Sequence, residues 1–324
     1  MRLLLVELSR LRSRRAIMVL MAGAFLVGAL VAGATLWEHR PLDDAAIASG
    51  EELAAREAQQ PYFQRIYRRC QENPAQFSDR GAATVSDCDM VLPDPGWYLE
   101  RQPLDPVDLS GQLPLVLTLF LGVIAVLVGA TMIGAEWSAG SVGTQLLFEP
   151  RRPLVWTAKA IAIAVSAAVM AAVVFAFVWL VILGAYAAWS DDALPAGFVS
   201  DLGETGLRAA AFAAVAGLAG YAVTVAVRHT VVVVGLMLAY SVIGEGLLRS
   251  LFPSVERYLV SNNAVAWIDK SHTIVVYPQD CFDDISCRPD KIVLELLDAA
   301  VYFGGITAVL LAASLFVFST RDVP

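Results

Sequence analysis

The stretch "LPLVLTLFLGVIAVLVGATMIGAEWSAGSVGTQLLFEPRRPLVWTAK", residues 113–159, decides how this chain reads. Its first part, 113–135, carries no charge and is long enough for a membrane crossing, which takes about 20 apolar residues for roughly 30 Å of hydrocarbon. The character then changes at once. Glu136, Gly140, Ser141, Gly143, Pro150, Arg151 and Arg152 follow before the next apolar run begins. A span that only had to leave the membrane could end on any polar residue, so this order calls for a further role.

The rest of the chain repeats the first half of that pattern. Six apolar runs qualify as spans: 16–37, 113–135, 157–189, 205–227, 230–248 and 297–319. With 324 residues, 17% of them charged, and a mean hydropathy of +0.62, there is more apolar surface than one soluble core hides. The fold class is therefore an all-α polytopic membrane protein with six transmembrane helices. The first run is longer than the apolar region of about 7 to 15 residues in a signal peptide, so it reads as a retained span.

Orientation follows from Lys and Arg near the span ends. "RLRSRR" before the first span, Arg151, Arg152 and Lys159 around the start of the third, Arg228 between the fourth and fifth, and Arg321 after the sixth fall on one side. That side should be the cytoplasm, with both termini inside and a short tail at 320–324. Most of the net charge of −8 lies opposite: residues 38–112 hold fourteen Asp and Glu against seven Arg.

That first outer loop, 38–112, is too long to be a mere connection. Ser49 and Glu52 are spaced as a capping box for a helix through "EELAAREAQQ". Pro61 can open a second helix, placing Tyr62, Phe63, Ile66 and Tyr67 on one face. The remaining outer segments are 190–204 and 249–296. All four cysteines fall outside: Cys70 and Cys88 in the first loop, Cys281 and Cys287 in the last. Their absence from spans and inner loops points to disulfides in an oxidising compartment. The local pairs Cys70 with Cys88 and Cys281 with Cys287 are favoured among three pairings; a bridge between the loops is the alternative.

At the N-terminus, residues 1–15 place Leu4, Leu8 and Leu11 on one helical face and Glu7, Arg10 and Arg14 on another. Such a helix lies in the interface, leucines in the acyl boundary and arginines against headgroups. Glu245, inside the fifth run, falls near its outer end and one turn before Arg249, so an i,i+4 ion pair explains it. The bare interiors of the other runs argue against an ion-coupled carrier. Phe120, Met132, Met237 and Tyr240 are the candidates for lining a path for a hydrophobic or amphipathic substrate.

No H-E-x-x-H, G-x-S-x-G or G-x-x-x-x-G-K-[ST] occurs. The chain has no P-loop, no evident metal site and no catalytic constellation, so it does not read as an enzyme. The segment 136–156 is the largest inner connection, where a soluble partner would have most to grip. Glu136 can offer a carboxylate to a partner or to Arg151 or Arg152. Gly140 and Gly143 allow a close-packed short helix, Pro150 ends it, and the arginines supply forked donors.

In "EWSAGSVGTQLLFEPRRPLVWTAK", the residues Glu136, Gly140, Ser141, Leu146, Leu147, Pro150, Arg152 and Lys159 resemble a motif of the permease subunits of type-two ABC exporters. Six spans and an amphipathic N-terminal helix extend the resemblance over nearly the whole chain. It implies that the segment is a coupling helix docking on a separate ABC ATPase, present in two copies that bind ATP and Mg. It also implies a second copy of this chain or a paralogue, with second and fifth spans along the path, in a bacterial plasma membrane. No nucleic-acid partner is expected. Short helices dipping into the outer leaflet would fall in "LFPSVERYLVSNNAVAWI". The long Cys-bearing loop departs from small drug-exporting members and leaves open an anchor or signalling subunit that relays ATPase motion outward.

Overall fold

A computed structural model describes residues 2–80, 84–276 and 290–320. Cys281, Cys287 and Arg321 lie outside the described residues. The helices are α1 (Arg2–Ser13), α2 (Arg15–Glu38), α3 (Asp44–Ala58), α4 (Pro61–Glu72), α5 (Pro106–Leu109), α6 (Leu113–Ser138) and α7 (Ser141–Phe148). They continue as α8 (Arg152–Trp189), α9 (Phe198–Val227), α10 (Thr230–Ala239), α11 (Arg249–Leu251), α12 (Val260–Asp269) and α13 (Leu296–Thr320). Among the described residues six helical stretches are long and apolar enough to span a membrane. The protein is an all-α polytopic membrane protein.

Two compact units divide the chain: residues 1–30, 107–181 and 192–324 form one, and 31–106 with 182–191 the other. In the larger unit α6 and α9 approach most closely because glycines face backbone. A β-carbon at Gly129 would overlap the Gly217 carbonyl oxygen, and one at Gly220 would overlap that of Val126. Small residues thus let two helix backbones touch. Around this seam a buried cluster joins Leu11, Ile17, Met132, Ile133, Val142, Trp156, Ile163, Tyr221, Val225 and Phe318, drawn from seven helices. Tyr221 donates its hydroxyl to the Trp156 carbonyl at 3.1 Å, and the Trp156 indole N–H reaches Ser314 Oγ at 3.0 Å.

Helical periodicity does not foreshadow a β hairpin. Strands β1 (Ser271–Val276) and β2 (Asp290–Glu295) pair antiparallel, Ser271 opposite Glu295 and Val276 opposite Asp290. Ile274 and Leu294 pack against Ala266 of α12 and Ala299 of α13. The β-branched run "TIVV" was the sequence signal for it.

In the smaller unit α3 starts before the expected capping box. Asp43 is the N-cap, its Oδ1 accepting from the Ala46 amide at 3.1 Å. Ser49 sits inside the helix and donates to the Ala46 carbonyl at 2.8 Å. The aspartate wins because an ionised side chain at the helix start also meets the positive end of the dipole. α4 opens on Pro61 as its fixed φ favours. Cys70 and Cys88 form a disulfide, with Tyr67, Phe77 and Val91 around it.

Candidate functional site

The connection between the second and third spans is built on one turn. Gly140 adopts φ 66°, the left-handed region that costs a residue with a β-carbon about 1–2 kcal/mol. The Ala139 amide still bonds to Ala135 O at 3.1 Å and that of Gly140 to Trp137 O at 3.2 Å, so α6 closes in order before the chain swings into α7. Pro150, lacking an amide hydrogen, separates α7 from α8.

Around this turn lies a buried cluster of charge. Lys159 of α8 is 0% exposed, and Glu7 of α1 and Glu136 of α6 are each 1% exposed. Lys159 Nζ donates to Glu7 Oε2 at 2.9 Å and forms an ion pair with Glu136 Oε2 at 2.7 Å. Arg14 donates through Nη2 to Glu136 Oε1 at 2.8 Å and through Nη1 to the Met132 carbonyl at 2.6 Å. Gln145 of α7 donates through Nε2 to Glu7 Oε1 at 2.7 Å and accepts from Arg10 Nη1 at 3.0 Å. Burying an unpaired charge is far costlier than burying a paired one, so the two carboxylates and the two cations Lys159 and Arg14 depend on each other. Through them α1, α6, α7 and α8 are held at one point.

Outside the cluster, α7 is split between two surroundings. Val142 is buried and Leu146 packs on the core, while Leu147 and Phe148 are 84% and 87% exposed. Ser141 Oγ donates to the Glu136 carbonyl at 3.4 Å, and Gly143 is half-buried within the helix. Arg152 donates to the Ser319 carbonyl at 3.1 Å, at the C-terminal end of α13 where cations are favoured. Arg151 is exposed, 4.0 Å from Glu149.

Glu136 therefore corrects one expectation. It pairs with neither Arg151 nor Arg152 and does not face outward, because Arg14 and Lys159 enclose it while Arg152 is engaged with α13. The N-terminal segment corrects another: Arg14, just past α1, turns to Glu136 rather than to headgroups, and Glu7, expected on a face apart from the leucines, is buried with them. The signal was present, since Leu4, Glu7, Leu8, Leu11 and Arg14 fall on one stripe of the helix at i, i+3, i+4, i+7 and i+10. Gln145 had no sequence signal; its role appears only once α7 packs beside α1.

The four residues considered for a path are not gathered together. Met132 is fully buried in the core, Phe120 is half-buried on α6, Met237 lines an apolar cleft, and Tyr240 donates its hydroxyl to Glu245 Oε1 at 2.9 Å. Glu245 does lie near Arg249, at 3.5 Å, but its main partners are elsewhere. It accepts from Ser261 Oγ at 2.6 Å and from the Ser261 amide at 3.0 Å, capping the start of α12 from across the fold. The backbone from Tyr240 to Leu248 widens into a π-helix where it carries this residue. Among the described residues no group of three or more His, Cys, Asp or Glu side chains could hold a metal.

Comparison with curated proteins and with solved structures gives no match. A family model described as "ABC-2 family transporter protein" matches residues 9–323, from within α1 through the last span. A match of that extent, over a chain with six spanning helices and a short helix set on buried charge after the second, shows that this chain belongs to the ABC-2 family of transporter membrane proteins.

Proposed function

We propose that the chain is the permease subunit of an ABC exporter and that α7 is the element a separate ATPase grips. The observation that carries this reading is the division of α7: an inner side locked to α1, α6 and α8 through Gln145 and the buried charges, and an outer tip, Leu147 and Phe148, left bare. A bare apolar tip on a rigidly held helix suits a groove in a soluble partner. Two ATPase copies, binding ATP and Mg, act on two permease copies, this chain with itself or with a paralogue. Nucleotide biases a two-state equilibrium of the spans by its differential binding. Both termini face the cytoplasm of a bacterial cell, and the cargo is hydrophobic or amphipathic: a drug, lipid or peptide-like molecule.

The test is co-expression with the ABC ATPase encoded beside this chain, purification through a tag on this chain, and assay of ATP hydrolysis. ATPase should co-purify with the native chain and be lost when Leu147→Asp and Phe148→Asp are combined, with the permease still monodisperse. Equal recovery with and without the substitutions would refute docking at this tip. A second reading, a non-transporting subunit that relays ATPase motion outward, draws support from the disulfide-tied unit of 31–106 and 182–191. Stimulation of hydrolysis by amphipathic compounds favours export; its absence across a broad panel favours the relay.

A further inference from the structure

The first span ends beside an open cleft that belongs wholly to the smaller unit. Ala34, Trp37 and Glu38 of α2, Arg40 just past it, and Arg101 from further along the same unit line a space of about 470 Å³. At 1.5 Å per residue the 24 residues of α2 extend about 36 Å, a little more than roughly 30 Å of hydrocarbon, so its last turn stands at headgroup level. Trp37, 72% exposed, suits that depth, where an indole keeps one part in the apolar phase and one in the wet.

The charges around the cleft are arranged for a ligand rather than for each other. The Arg40 guanidinium carbon lies 4.1 Å from the centre of the Trp37 ring, which positions the cation without occupying its hydrogen-bond donors. Among the described residues no carboxylate pairs with Arg40 and no cation pairs with Glu38. Arg101 pairs with Glu100, its neighbour in sequence, at 3.3 Å; that carboxylate is 81% exposed, so the pair is weak and leaves the guanidinium ready for a second anion. The negative end of the α2 dipole favours arginines here and disfavours Glu38, whose charge is best offset by a cation from outside. Two guanidiniums and one carboxylate around a headgroup-level space complement a phosphate diester that carries a primary ammonium. The volume, room for on the order of fifteen water-sized groups, suits one such head.

We infer that the cleft binds the head of one zwitterionic phospholipid of the phosphoethanolamine type, its phosphate on Arg40 and Arg101 and its ammonium on Glu38. Guanidinium forks match phosphate oxygens, and the acyl chains stay in the bilayer beside α2. The site stands at the end of the first span, takes no residue from the second or fifth, and does not depend on the docking of an ATPase.

The full chain, purified in detergent and supplied with equal amounts of phosphatidylethanolamine and phosphatidylglycerol, tests this by native mass spectrometry of the lipid retained. The native chain should retain phosphatidylethanolamine about fivefold over phosphatidylglycerol, which lacks the ammonium and meets Glu38 as a like charge. Arg40→Gln should cut retained phosphatidylethanolamine about tenfold, as for one lost hydrogen bond to a charged group. Glu38→Gln should bring the two lipids to equal retention. If Arg40→Gln loses monodispersity, Glu38→Gln decides alone. Equal retention of the two lipids by the native chain, undiminished phosphatidylethanolamine in Arg40→Gln, or a preference that survives Glu38→Gln overturns the inference. Displacement of the lipid by millimolar glycerophosphoethanolamine also overturns it, by making a soluble phosphodiester the ligand.

Discussion

Replacing Lys159 with methionine is the most direct challenge to the buried cluster. The side chain keeps its length and apolar stem, so packing in α8 changes little, but the cation 2.9 Å from Glu7 and 2.7 Å from Glu136 is gone. Glu136 retains Arg14 at 2.8 Å, whereas Glu7 keeps only Gln145 and the half-exposed Arg10 at 3.5 Å. Removing one partner of a buried pair costs about 3–5 kcal/mol. At about 2 °C per kcal/mol, the lower end for a chain of this size, the thermal midpoint should fall by about 6–10 °C. The assay is loss of the monodisperse peak after heating in detergent, compared at one heating rate because such unfolding is rate-governed. The decisive arm is Lys159→Met with Glu7→Gln. Removing both charges leaves Glu136 with Arg14 and should recover at least half of the lost midpoint. A shift under about 2 °C for the single variant, or a double variant worse than the single, would refute the claim that these charges are mutually dependent.

Gly129→Ala should cost about 1–3 kcal/mol or prevent accumulation, because its β-carbon would overlap the Gly217 backbone, whereas Gly235→Ala on α10, with open space around it, should behave as the native chain; yield and midpoint in detergent compare the two. Replacing Cys70 and Cys88 with serine opens a bridge of sequence separation 18 and should cost about 3 kcal/mol within the smaller unit. Limited proteolysis should then cut within 61–91 first, with the spans unaffected. Glu245→Ala removes the acceptor for the Ser261 amide and hydroxyl, so hydrogen exchange at the start of α12 should rise about fivefold, corresponding to a lost cap of about 1 kcal/mol, while α7 is unchanged.

The spans were legible because hydrocarbon demands a fixed length of apolar residues whatever their neighbours, and the end of the short helix after the second was legible from Pro150, whose backbone constraint is local; the left-handed turn at Gly140 was not. α3 was misplaced by one local rule competing with another: Ser49 and Glu52 had the right spacing, but Asp43 was the stronger cap. The β hairpin was hidden by its shortness beside long helical runs. Glu136 stands one position past an apolar run, and the cations nearest to it in sequence on that inner connection are Arg151 and Arg152. Its partners are Lys159, within α8, and Arg14, just past an N-terminal helix whose amphipathic pattern suggests a headgroup surface.

By itself the sequence determined the membrane class, the six crossings and the proline that ends the helix after the second of them, and it favoured the bridge between Cys70 and Cys88 without deciding it. Each rests on a constraint that acts within one segment or one solvent. Only the tertiary structure decided which way Glu136 faces, that Lys159 stands between two carboxylates, that Glu245 caps α12, and that an apolar slot remains beside Met237. Those depend on which segments pack side by side, from a sequence separation of 16 for Glu245 and Ser261 to 152 for Glu7 and Lys159, and the spacing of charges along one helix does not name the partner each meets on another.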